Sequence, residues 1–279
     1  TCNEKRYGEL EPDTVGHRVV VVGGGPGGMM AAETLAKRGV KVTLMDRQES
    51  LGGTVNLAKR PPLKERMERI ADYYRDSFAR LGVEVQLGKE ASPENIAALE
   101  PDAVVLATGS RAVFPKSIPG VDGKNVYTVE EVLTGKADIA GKSVAMIGAG
   151  LTGLEVGEFL GEKGCKVAFV DMLKQAGANA YRNNVLDVMS RLGKMDVEWE
   201  LGHTLKEITA DGVVIENVDN KEEKKIAADA VVLSLGYSSD RSLKDALEEK
   251  GLVVCLVGSA IKDGTIAPAT KSGYEVGAN

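Results

Sequence analysis

Residues 19–28 read VVVVGGGPGG and residues 144–153 read VAMIGAGLTG. Each is an apolar run ending in G-x-G-x-x-G, with Gly23, Gly25 and Gly28 in the first and Gly148, Gly150 and Gly153 in the second. The two stretches are 125 residues apart, and so are the acids that close the next apolar runs, Asp46 in KVTLMD and Asp171 in KVAFVD. Further along, VEVQLG (83–88) is matched by VEWELG (197–202), and PDAVVLATG (101–109) by ADAVVLSLG (228–236). Four matches in one order at nearly constant spacing indicate a duplication. Each copy reads strand, glycine turn, helix, strand, acid. Helices are expected over Met29–Arg38, stopped by Gly39, and over Leu151–Lys163, stopped by Gly164. The AVVL runs are apolar throughout, as parallel strands covered on both faces must be. Helices linking parallel strands cross over right-handed, so an α/β chain with two doubly wound units is expected.

The boundaries follow from composition. Residues 1–17 are polar and read as a linker or arm. Pro115, Pro119, Gly120 and Gly123 mark one crossing between domains, and the polar stretch 236–251 a second. The tail opens on a further strand, LVVCLVG, and turns into a helix near Ile266 with Pro268 in its first turn. A strand beyond the second copy should return to the first. The expected division is 18–115 plus 252–279 for one domain, with 116–251 inserted as the other.

A chain of 279 residues suits about two domains. Apolar residues at 43% and charged residues at 27% exclude a disordered chain. No run of about 18 apolar residues exists, so no membrane helix is expected. With 35 basic against 41 acidic residues, nucleic acid is not an expected partner. Cys2, Cys165 and Cys255 are far apart, which leaves no C-x-x-C dithiol and no zinc ribbon. His17 and His203 stand alone. Neither a metal site nor a catalytic side chain is expected, and unpaired cysteines without a leader suit a reducing cytoplasm. The run KEEKK (221–225) reads as a solvated turn, and Tyr73 and Tyr74 lie on a helix through ERIADYYRDSFARLG.

The glycines suit dinucleotides. The first lets the chain turn sharply out of the strand, the second lets backbone approach a pyrophosphate, and the third lets helix and strand pack closely. The helix N-terminus offers unpaired N–H groups and about half a positive charge. The acid about 20 residues on accepts hydrogen bonds from a ribose diol and repels a 2′-phosphate. Met172 and Leu173 follow Asp171 with no arginine adjacent, which favours NADH over NADPH, although Lys174 stands close by. Two such units suggest two nucleotides placed face to face for hydride transfer, a chemistry that needs orientation and exclusion of water more than acid–base groups.

The stretches GGGPGG, LMDRQESLGG (44–53), ATGS (107–110), DAVVLSLG and VGSA…GTIAPATKSGYEVG resemble the FAD-dependent pyridine-nucleotide oxidoreductases. More narrowly, LGGTVNLAKRPPLKE (51–65) is similar to the C-terminal part of the old yellow enzyme-like iron–sulfur flavoproteins, such as 2-enoate reductase, 2,4-dienoyl-CoA reductase and trimethylamine dehydrogenase. The resemblance implies FAD along Gly23, Gly25, Pro26, Gly28, Asp46, Arg47, Gly52, Gly53, Thr54, Ala107, Thr108, Gly109, Gly258, Ser259, Thr265 and Ile266. It implies NADH along Gly148, Gly150, Leu151, Thr152, Gly153, Glu155, Asp171 and Gly236. It further implies that electrons pass from NADH to FAD and on to an iron–sulfur cluster and FMN in an N-terminal barrel absent from this chain. Cys2 falls where the last cluster ligand of that family would lie, and a small-molecule acceptor would be reduced in the barrel. Ser259 stands where the family has Asp, and Asp46 where Glu is commoner. The alternative is therefore a non-catalytic scaffold that keeps only ADP or AMP. Whether the chain forms a homo-oligomer is left open.

Overall fold

The computed structural model describes residues 8–279, and Cys2 lies outside the described residues. The strands are β1 (Arg18–Val22), β2 (Lys41–Met45), β3 (Glu84–Gln86), β4 (Ala103–Leu106), β5 (Ser110–Ala112), β6 (Val126–Thr128), β7 (Ser143–Ile147) and β8 (Lys166–Asp171). They continue as β9 (Val197–Leu201), β10 (His203–Thr209), β11 (Gly212–Asn217), β12 (Glu223–Ala227), β13 (Ala230–Leu233), β14 (Tyr237–Ser239) and β15 (Val253–Leu256). The helices are α1 (Pro26–Lys37), α2 (Val55–Ala58), α3 (Glu68–Leu81), α4 (Pro93–Ala97) and α5 (Val129–Thr134). The last four are α6 (Leu151–Glu162), α7 (Arg182–Leu192), α8 (Lys244–Glu249) and α9 (Ile266–Ala278).

Two five-stranded parallel sheets carry the fold, in the orders β15-β4-β1-β2-β3 and β6-β13-β7-β8-β9. They are the same sheet with one strand moved in sequence. The fifth strand of the first sheet, β15, comes from the tail, whereas its counterpart β6 precedes the second copy. This is the α/β architecture of two Rossmann-like units, one inserted into the other. A meander of β10, β11 and β12 packs on the second sheet, and β5 and β14 form a short two-stranded ladder. The duplication does not signal the meander, because its residues are an insertion without a twin. The basic run contributes to it: the chain turns at 218–222 and Glu223 already starts β12, whose single buried residue is Ile226.

Two compact units result. Among the described residues the first takes in the chain from residue 8 to Asn56, Arg66–Arg111 and Tyr237–Asn279, and the second takes in Leu57–Glu65 and Ala112–Gly236. Segment 57–65 goes with the second unit because Leu57 packs on its core and Lys64 pairs with Glu155.

Helix α1 begins at Pro26, three residues earlier than the apolar pattern predicts, because proline at the first helical position gives up only an N–H that has no partner there. It turns Met29, Ala31, Ala32 and Leu35 toward the sheet and α3. On its other side it runs alongside α9 at very short range. A Cβ on Gly273 would stand 2.2 Å from Gly27 O, and one on Gly277 2.7 Å from Thr34 Cβ. The contacts advance together along both helices, so α1 and α9 are parallel and present their N-termini at the same end. Arg38 then ties the segment before β1 and the end of α9 to α1, donating to Glu11 O at 2.8 Å and to Gly277 O at 2.9 Å.

Each copy also buries one acid at the same place in its first helix, 125 residues apart: Glu33 at 3% exposure and Glu158 at 1%. Glu33 accepts from Ser77 Oγ at 2.6 Å and Tyr73 Oη at 2.8 Å, with Lys37 Nζ at 3.2 Å. Burial pushes its pKa up, but the two hydroxyl bonds and the lysine charge outweigh that and hold it below the ordinary value. Its contribution is therefore complete above the unfolded-chain value of about 4.3 and is lost as the pH falls through the lower folded value. A Glu33→Gln variant should lose less melting temperature than the parent between about pH 5 and pH 3. Parallel curves in calorimetry would contradict this account.

Candidate functional site

Both glycine turns are built by the same hydrogen bonds. Gly23 N donates to Met45 O and Gly148 N to Val170 O, each at 2.8 Å. The next N–H goes to the acid at the tip of the neighbouring strand: Gly24 to Asp46 Oδ2 at 2.5 Å, Ala149 to Asp171 Oδ2 at 2.7 Å. The second carboxylate oxygen accepts from the N–H two residues on, Gln48 at 2.7 Å and Leu173 at 2.8 Å. Each carboxylate is oriented by two backbone donors and keeps lone pairs for a ligand diol. The carbonyls of Gly24 and Ala149 accept from Gly52 and Gly177, each at 2.8 Å, so the loop after the acid folds back over the turn in both copies.

What a side chain would meet separates the glycines by role. A Cβ on Gly23 would stand 2.2 Å from Ala107 O, and one on Gly148 2.2 Å from Ser234 O. A Cβ on Gly28 would stand 1.9 Å from Gly23 O, and one on Gly153 2.0 Å from Gly148 O. These four glycines are required by backbone packing. Gly25 and Gly150 are different: a Cβ on either meets nothing within 4 Å, and neither has a positive φ. Nothing in the protein itself asks for glycine there. Both cap the N-termini of twelve-residue helices, and the first intrahelical bonds are Met29 N to Gly25 O and Leu154 N to Gly150 O. The N–H groups ahead of them have no carbonyl one turn back. Open space, free donors and a positive helix end fit a pyrophosphate at both turns.

The copies differ in closure. Gly53 has φ +53° and stands so near the first turn that a Cβ would lie 2.9 Å from Gly25 Cα. Its counterpart 125 residues on is Ala178, which is exposed. The loop folds back in both copies but comes closer over the first turn, where Gly25 is half-buried, than over the second, where Gly150 is exposed.

The remaining residues of the first unit gather around the same end of α1. Thr108 Oγ1 donates to Asp240 O at 2.6 Å, and Asp240 N donates to Gly109 O at 3.0 Å. Burial raises the Asp240 carboxyl, but Ser242 and Arg111 outweigh it and hold its pKa below the usual carboxylate value. Gly258, with φ +61°, packs on Gly27 and donates its N–H to Ser272 Oγ at 2.8 Å. Ser259 follows in a single 3-10 turn, and Thr265 and Ile266 open α9 beside α1. Arg47 and Thr54 are exposed at the rim, and Pro26 is the first residue of α1.

In the second unit, Leu151 and Thr152 form the first turn of α6, half-buried and exposed respectively. Glu155, on the same helix, pairs with Lys64. Gly236, with φ +86°, accepts from Val113 N at 3.0 Å just past β13. Sequence reasoning missed two residues here. Gly177 was findable, since it lies 125 positions after Gly52. Lys64 was not, because nothing in its spacing pairs it with Glu155 91 residues away.

A duplicated glycine turn with an oriented acid at each strand tip is the FAD/NAD(P)-binding build of an oxidoreductase. The chain belongs to the family described as pyridine nucleotide-disulphide oxidoreductase, whose profile matches residues 17–255. It is 38% identical to an NADH oxidase of Thermoanaerobacter brockii over 97% of this chain and 42% of the relative. It is 34% identical to a cinnamate reductase of Clostridium sporogenes over 99% of this chain and 41% of that protein. Among solved structures it is similar to 2-naphthoyl-CoA reductase, with TM-score 0.91 and 31% identity over 98% of this chain and 41% of the other. The chain is the FAD/NAD(P)-binding region of the old yellow enzyme-like flavoproteins, and it spans about two fifths of the length of the relatives it matches. No helix among the described residues is long and apolar enough to cross a membrane.

Proposed function

We propose that the first unit holds FAD as a resident cofactor, that the second takes NADH as an exchangeable one, and that the chain passes reducing equivalents between them. The observation that carries this is a difference in cover between two turns built by the same hydrogen bonds: Gly53 packs close on a half-buried Gly25, whereas Gly150 and Ala178 are exposed. When bound, the two groups supply the chemistry, a hydride donor and an acceptor.

The residues of the chain do the rest. Gly25, Pro26, Gly52, Gly53 and Thr54 would surround the FAD pyrophosphate. Asp46 would hold the adenosine ribose with Arg47 at its edge. Ala107, Thr108, Gly109, Gly258 and Ser259 would line the remainder, and Gly23 and Gly28 keep the strand and helix close enough to form the turn. The N-terminus of α9 at Thr265–Ile266 adds a second positive helix end, suited to negative charge on a reduced ring. In the second unit Gly150, Leu151 and Thr152 would face the NADH pyrophosphate, Gly148 and Gly153 shape the turn, and Asp171 would hold the ribose diol. Glu155 and Gly236 lie further along, with Glu155 kept in place by Lys64. Asp171 disfavours the extra phosphate of NADPH.

In a longer chain the electrons would continue to an N-terminal barrel carrying an iron–sulfur cluster and FMN, and from there to a small-molecule acceptor. An acceptor with a conjugated double bond suits the cinnamate reductase likeness. A cytoplasmic setting suits the unpaired cysteines. The second reading, a scaffold that keeps only ADP, is favoured by Ser259, which leaves that turn without an acid.

The test is spectroscopic. Protein purified or reconstituted with FAD should be yellow, and NADH without oxygen should bleach it. A colourless protein that binds ADP but no flavin would establish the scaffold reading instead.

A further inference from the structure

The four residues after Asp171 include one cation, Lys174, and its ammonium is taken up by an acid on the turn between β11 and β12. Leu173 O accepts from Gly202 N at 3.1 Å, which draws the chain after Asp171 onto the turn between β9 and β10. The Lys174 stem then crosses Gly202, with Cγ 3.5 Å from where a Cβ would be. Its Nζ reaches Asp219 Oδ2 at 2.7 Å, in the turn between β11 and β12. Asp219 is itself oriented, its N–H donating to Asn217 Oδ1 at 3.0 Å. The other basic groups around this corner are occupied as well: Lys206 and Lys221 pair with Glu216, Lys224 pairs with Glu200, and His203 is held within the ladder. The His203 Nδ1 lies 3.0 Å from Leu201 O and its Nε2 lies 3.3 Å from Asn217 Nδ2.

We infer that Asp219 is a specificity-determining residue for the pyridine nucleotide: it withholds Lys174, so that no lysine answers the 2′-phosphate of NADPH beside Asp171. This rests on the reading of the second unit as the NADH site and assigns the discrimination within it. The acid at the strand tip repels the phosphate directly. Asp219 acts at one remove by neutralising the cation that would otherwise compensate. The pair is solvent-exposed, with side-chain exposures of 69% and 65%, so its effect is modest and sensitive to salt.

The test uses the FAD-loaded chain and the oxidised nucleotides NAD+ and NADP+, which bind without reducing the flavin. Dissociation constants come from calorimetry, and Trp199, the only tryptophan in the chain, offers a second signal from the second unit. Asp219→Asn should improve NADP+ binding relative to NAD+ by roughly three- to five-fold at low salt, the scale of one exposed ion pair. Adding Lys174→Gln to that variant should return the ratio to that of the parent. Lys174→Gln alone should leave the ratio unchanged, since the lysine is already withheld. If Asp219→Asn binds NAD+ normally with an unaltered ratio, or if Lys174→Gln alone weakens NADP+ binding, the role of Asp219 is refuted while the site stands. If the parent binds neither nucleotide, the reading of the second unit fails, and the inference with it.

Discussion

A Gly25→Val variant is expected to fold like the parent and to come off the column without flavin. The position has φ −77° and ψ 178°, which any residue adopts, and no protein atom lies within 4 Å of the added Cβ. The structural cost should be about 1 kcal/mol, the scale of replacing a favourable N-cap residue by an unfavourable one. The valine methyl groups would fill the space in front of α1 where a pyrophosphate has to sit. Gly28→Ala is the control of opposite character. Its Cβ would stand 1.9 Å from Gly23 O, a backbone atom that no rotamer change can move. It should cost more than the roughly 1–3 kcal/mol of ordinary overpacking and unfold the first unit. The ratio of flavin to protein absorbance and the melting curve separate the two outcomes. A Gly25→Val protein with full flavin content would remove the ground for placing FAD at this turn.

The second large effect is expected in the other unit. Glu158 is 1% exposed and is held by both Arg191 Nε and Arg191 Nη2, while Arg191 Nη1 reaches Asp187 at 2.7 Å. The bond to Glu158, with the further help of Asp187, raises the arginine pKa, so it stays charged at any pH the fold survives. Arg191→Met leaves a buried carboxylate without its partner, a loss of about 3–5 kcal/mol. The paired change Glu158→Leu with Arg191→Met should recover most of it, since replacing a buried ion pair by apolar groups is often neutral. Trp199 stacks on Phe169 at 4.7 Å within this unit, so its emission should report the transition. A single Arg191→Met variant as stable as the parent would show that the pair contributes little.

The duplication, the parallel sheets and both glycine turns were legible because each depends on local backbone geometry. A strand that must leave its sheet beside another backbone can tolerate no Cβ at Gly23 or Gly28, and an acid at the tip of the neighbouring strand accepts from the turn and from the N–H two residues after itself. Such demands recur at fixed spacing, so a second copy repeats them 125 residues on. The return of β15 to the first sheet was legible for the same reason, since a parallel sheet lacking one strand has a place for it. The meander β10–β12 was not, because nothing in the first copy corresponds to it. The start of α1 at Pro26 and of β12 at Glu223 moved from the expected positions because helix entry and edge pairing follow backbone partners more than side-chain pattern.

The sequence by itself determined the fold class and the residues that shape the two turns, because those are conditions on φ, ψ and the presence of a Cβ. Only the tertiary structure decided the long-range pairs: Lys64 with Glu155, Lys174 with Asp219, Arg191 with Glu158, and α9 packed along α1. A long charged side chain can reach any acid within several ångströms, and which acid comes within reach depends on how distant segments fold together, not on their spacing along the chain.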